Sequence, residues 1–178
     1  YDAGNGGVGE EIYKILSALD KNGRLPVRYE GSYHVILPNQ FNKAIETVKR
    51  WQKDYGGTRL NINTLKIHFD GMSEIGTSSV IDPFINNDNE NRGGMIMTEK
   101  ELHDLILELE EDAINLHIHS VGDRSTFSIL NAVEAARSSL NRELLIRITL
   151  CHLELIQDDD FKRFSKLGVI ANFTDRKS

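Results

Sequence analysis

Cysteine and proline are nearly missing from this sequence, with one Cys and three Pro in 178 residues. A lone Cys151 excludes an internal disulfide framework and suits a reducing, cytoplasmic setting. Long apolar runs are missing too. None approaches the roughly 20 residues of a membrane helix, and no signal-peptide pattern opens the chain. Basic residues are outnumbered, 21 Lys and Arg against 27 Asp and Glu, for a net charge of -6. That argues against a nucleic-acid groove, because phosphate binding needs a basic surface. There is no acidic tail, low-complexity linker or short repeat. What is present is a globular composition, 39% apolar and 27% charged, in a chain long enough for one domain but not comfortably two.

The first residues are rich in glycine. Gly4-Asn5-Gly6-Gly7-Val8-Gly9 matches the dinucleotide fingerprint G-x-G-x-x-G. That fingerprint needs a strand feeding the loop, and only Tyr1-Asp2-Ala3 precede it. Residues 1–9 are therefore read as a flexible leader, and residues 10–178 as the domain. A nucleotide-binding doubly wound domain built on Gly4–Gly9 is the weaker alternative.

Ile12, Ile15, Leu16 and Leu19 recur at helical spacing, and Asn22-Gly23 closes that helix. An extended run follows from Leu25 to Leu37, then a helix over 40–54 with Phe41, Ala44, Ile45, Val48 and Trp51 on one stripe. Leu60 to Asp70 reads as a strand. Its end alternates, with Leu65, Ile67 and Phe69 on one face and Lys66, His68 and Asp70 on the other. A long irregular stretch, 72–96, is rich in Asn, Asp and Ser. Thr98 and Glu101 form a capping box that opens the next helix. Strands at 115–120, 144–152 and 168–173 then alternate with helices at 124–139 and about 157–166. This rhythm predicts an α/β fold with a parallel sheet and crossover helices.

In such folds the working residues stand at the C-terminal ends of strands. Four predicted strand ends carry unusual polar residues: Lys66, His68 and Asp70; His117 and His119 ahead of Gly122-Asp123; Cys151-His152 with Glu154; and Asn172-Phe173-Thr174. Lys66, His119 and His152 can converge on one rim, and neutral imidazole is the commonest metal ligand. His34 and His103 are read as structural, with His68 and His117 intermediate. Cys151 is read as a small buried hydrophobe. A Cys151–His152 protease pair would have to face each other, whereas strand neighbours point apart. Asp70, Asp123 and Glu154 suit acid–base work or the orienting of a histidine.

Three runs together resemble the YtcJ-like branch of the amidohydrolase superfamily: Leu65-Lys66-Ile67-His68-Phe69-Asp70-Gly71, His117-Ile118-His119-Ser120-Val121-Gly122-Asp123-Arg124 and Ile148-Thr149-Leu150-Cys151-His152. The resemblance covers nearly the whole chain after residue 9. It implies a (β/α)8 TIM barrel with a divalent metal, usually zinc, at its C-terminal rim. It also implies hydrolysis of amide-like C–N bonds in a small-molecule substrate by metal-activated water. Carried over, Lys66 matches a lysine that is often carbamylated and bridges two metals, and His119 and His152 match two histidine ligands. His68, Asp70, His117 and Asp123 would touch substrate or support those ligands. The family's first-strand His-x-His pair and last-strand Asp have no match. The chain is thus expected to be a central piece, roughly strands two or three to seven, inactive alone and prone to self-association through open sheet edges. The rival reading is a non-catalytic binding or regulatory module of the same fold, with the 72–96 stretch as a partner contact.

Overall fold

The computed structural model describes residues 9–85 and 90–173. Most of the glycine-rich leader, residues 1–8, lies outside them, as does Thr174. Ten main elements follow in order: α1 (Glu10–Lys21), β1 (Tyr29–Val35), α2 (Ala44–Tyr55), β2 (Leu60–His68), α3 (Glu99–Glu111), β3 (Asn115–Ser120), α4 (Asp123–Leu140), β4 (Ile148–His152), α5 (Asp158–Leu167) and β5 (Ile170–Phe173).

The five strands are all parallel and stand in chain order, β1-β2-β3-β4-β5. A doubly wound nucleotide fold reverses its strand order at the binding crevice, and the described strands contain no such reversal. Order without reversal, with crossover helices between strands, gives the arc of a β/α barrel. The arc is not closed, so β1 and β5 each pair with one strand among those described.

Hydrophobic alternation decides which face carries the helices. Leu65, Ile67, Leu116, Ile118, Ile148 and Leu150 point one way and share a core with Val48 of α2, Ile106 and Leu109 of α3, and Ile129 and Val133 of α4. A register irregularity keeps that face continuous along β2. Gly31 pairs with Ile62 and Ser32 with Thr64, which leaves Asn63 as an extra residue. Such a bulge shifts the alternation by one. Leu60 and Ile62 therefore lie under α1 and α2 with Tyr13 and Trp51, while Lys66 and His68 are left to the opposite, inner face.

The strands are shorter than the apolar runs that announce them. The run from Leu25 to Leu37 contributes Tyr29–Val35, and that from 144 to 152 contributes Ile148–His152. Leu145 and Ile146 instead give their backbone N–H groups to the buried Glu110 carboxylate. The capping box at Thr98 forms as expected, with Glu101 bonded back to the Thr98 N–H. Among the described residues no helix is long and apolar enough to cross a membrane.

Candidate functional site

Registered residues of parallel strands share a face. His34 is paired with Lys66, Lys66 with His117, His68 with His119, and His119 with Cys151. The inner face therefore gathers imidazole, amine and thiol at the strand ends.

Four histidine rings form a row along the rim. His34 Nε2 lies 2.8 Å from His68 Nδ1, and the two rings stack. His119 meets His68 edge to face, with centroids 4.2 Å apart, and meets His152 in the same way at 4.6 Å. His119 is 3% exposed, and among the described residues neither of its ring nitrogens has a hydrogen-bond partner. Burial, with the nearby His68, His152 and Lys66 charges, brings its pKa down to about 3. The ring is accordingly neutral at physiological pH, with a lone pair to offer. Burial and the Lys66 charge lower the His68 pKa as well.

His152 reaches this row through its backbone. Its φ is +79°, and Leu153 follows at +54°, the left-handed region that non-glycine residues seldom enter. The turn is fixed by Leu153 N–H on Ser120 O and Leu155 N–H on Val121 O. Strand alternation ends at this point, so Cys151 and His152 do not point apart as simple alternation predicts.

Cys151 is more than a buried hydrophobe. Lys66 Nζ donates to its Sγ at 2.7 Å, and the His117 and His152 imidazoles act on its titration. Burial works to raise the thiol pKa, but those two imidazoles and the Lys66 charge outweigh it and hold the pKa at about 5. Lys66 itself is 4% exposed, and its amine finds no other hydrogen-bond partner among the described residues.

The two aspartates stand apart from the row. Asp70 is buried, and its carboxylate accepts from the N–H groups of Ser79, Val121 and Gly122 and from Ser125 Oγ. Burial pushes its pKa up against the pull of those bonds. Asp70 thus clamps the turn after β3 to the long irregular stretch. Asp123 accepts from Ile81 N–H and from the Gln157 side chain, tying that stretch to the start of α5. His103 lies on α3, bonded to Asp104 and Ser139. Glu154 and Asn172 are exposed.

His34 and Cys151 are the members that sequence reasoning misses. A signal for each is nevertheless there, since both fall on the inner-face parity of their strands, in register with Lys66 and His119.

The donors suit a divalent metal in kind, because a buried and a half-buried imidazole meet edge to face with the His119 nitrogens unengaged among the described residues. They do not close a shell. Among the described residues no three His, Cys, Asp or Glu side chains are grouped so as to hold an ion.

The model of the Amidohydrolase family matches residues 1–176. The chain belongs to the amidohydrolase family. Among individual relatives, the Exoenzymes regulatory protein AepA of Pectobacterium carotovorum subsp. carotovorum is 24% identical over 152 residues, 85% of this chain and 31% of that protein. Two solved structures share the fold. One is an uncharacterized metal-dependent hydrolase from Pyrococcus horikoshii OT3, with a TM-score of 0.68 and 20% identity over 90% of this chain and 30% of that one. The other is an uncharacterized metal-dependent hydrolase from Pyrococcus furiosus, with a TM-score of 0.70 and 22% identity over 92% of this chain and 32% of that one. This amidohydrolase chain thus spans about a third of the length of each.

Proposed function

We propose that this amidohydrolase chain supplies part of the metal centre of a hydrolase that cuts C–N bonds other than peptide bonds in small molecules. His119 and His152 are its metal ligands, and Lys66 stands at the same centre. The observation that carries the reading is His119, a neutral, buried imidazole with both nitrogens unengaged among the described residues, set edge to face against His152. A buried polar group without a partner costs about 1–3 kcal/mol, which a ligand would relieve. A divalent ion held there, with zinc expected, supplies Lewis acidity and lowers the pKa of water toward about 7.

The remaining roles fall to this chain's own side chains. His68, bonded to His34, flanks His119 on one side, and the His152 turn closes the other. Asp70 holds the turn after β3, so that the strand bearing His119 ends in one conformation. The 178-residue chain by itself is expected to turn over no substrate.

The test is hydrolysis by the zinc-loaded protein that carries this chain, followed as amine release from a panel of N-acyl and cyclic amides. His119→Ala and His152→Ala should each abolish both stoichiometric zinc and turnover. Zinc binding and turnover that survive both substitutions would exclude the assignment. The AepA relative, an exoenzymes regulatory protein by name, favours a second reading, a regulatory module that keeps the fold without chemistry. On that reading the protein binds no stoichiometric metal, and the same assay separates the two.

A further inference from the structure

Lys66 is the only buried lysine among the described residues, 4% exposed, and Cys151, 6% exposed, is the chain's only cysteine. They stand on strands that are not neighbours, since β3 runs between β2 and β4. The lysine stem crosses the width of β3, and its Nζ ends 2.7 Å from the Cys151 sulfur. That amine has no other hydrogen-bond partner among the described residues. Even for N–H···O, about 2.7 Å is the short limit, and sulfur is a larger atom than oxygen. The fold thus shields an amine and a thiol from water and holds them closer than a hydrogen bond between them requires. A single bridging oxygen, bonded to each atom with a bent angle, spans such a separation without moving either strand.

We infer that Lys66 and Cys151 form a nitrogen–oxygen–sulfur cross-link on exposure to dioxygen, reversible by thiols. The inference needs no metal and goes beyond the hydrolase reading by assigning a modification site to these two side chains. In the reaction one dioxygen molecule meets one neutral amine and one thiol. One N–H bond and the S–H bond break, and one oxygen atom becomes bonded to both nitrogen and sulfur. The other oxygen leaves as water with the two hydrogens. Nitrogen and sulfur each give up two electrons, which together are the four that dioxygen takes. Two molecules of dithiothreitol return those electrons, restore amine and thiol, and release the bridging oxygen as water.

The bridge joins residues 85 positions apart and ties β2 to β4. It also removes an amine and a thiol from the inner face, so the oxidised and reduced proteins present different chemistry there. Ordinary cysteine oxidation climbs from sulfenic to sulfinic acid on the sulfur alone. Here the Lys66 amine already occupies the position beside that sulfur.

The experiment is peptide mass spectrometry of the folded protein that carries this chain, kept in air-saturated buffer and digested without reductant. The expected result is a joined pair of peptides, holding Lys66 and Cys151, one oxygen heavier and two hydrogens lighter than their sum. Dithiothreitol added before digestion should remove the pair, as should Lys66→Met or Cys151→Ser. The wild-type spectrum decides without either variant, because fragmentation locates both linked residues. Cys151 recovered wholly as thiol, sulfenic acid or sulfinic acid overturns the inference, as does a joined pair that has gained no oxygen. A cross-link that forms equally in urea-unfolded protein overturns it too, because the folded placement would then not be its cause.

Discussion

Glu110 lies in the last turn of α3 and is 6% exposed, its carboxylate accepting from Leu145 N–H, Ile146 N–H and Arg142. Burial would raise its pKa, but these bonds prevail and hold it below its ordinary 4.5. A carboxyl group depressed on folding stabilises the native state above its unfolded value and loses that contribution as pH falls through the folded one. Glu110→Gln should therefore be less stable than wild type at pH 7 by about 1–3 kcal/mol. The gap should close below pH 4.5, as read by urea unfolding across pH. A gap that is the same at pH 3 and pH 7 would refute this. Gly122 gives a second residue-scale test. A Cβ there would lie 1.9 Å from the Ser79 carbonyl oxygen, so Gly122→Ala must shift backbone and should cost about 1–3 kcal/mol. The third is Asp70→Asn, which points an amide at four donors and should cost about 1.5–3 kcal/mol. It should also raise hydrogen exchange at Ser79 and Gly122, and unchanged exchange there would contradict the clamp.

At the scale of elements, most of the fold is legible because its signals are local. The α3 capping box, the stripes of α1 and α2, and the alternation at the end of β2 each involve residues within a few positions of one another. Strand identity also places Lys66, His119 and His152 on one rim. Two backbone irregularities are not legible. The extra Asn63 in β2 is defined by pairing with β1, and the left-handed turn at His152 depends on the Ser120 and Val121 carbonyls. Both are long-range, and both matter to the site. The bulge directs Lys66 and His68 inward, and the turn brings His152 onto His119. His34 and Cys151 escape a sequence reading for the same reason, because their meaning comes from cross-strand neighbours. Asp70 and Asp123 have side chains that suit chemistry, yet the fold commits them to backbone N–H groups.

At the scale of the whole molecule, five parallel strands make an arc whose outer face is covered by helices. Its inner face holds the histidine row, and β1 and β5 are unpaired edges among the described strands. Ile170 and Phe173 on β5 are about half exposed. Open edges and exposed apolar strand residues favour pairing between chains, so light scattering on the isolated chain should report a species larger than 20.1 kDa. A concentration-independent monomer would count against association.

The hydrolytic role proposed for the inner face depends on a metal held by His119 and His152, and anomalous diffraction from crystals grown with zinc tests it most directly. The prediction is one strong zinc peak about 2.0–2.1 Å from a ring nitrogen of each histidine. A zinc-saturated crystal in which both imidazoles stay unligated, with any peak elsewhere on the surface, would contradict it.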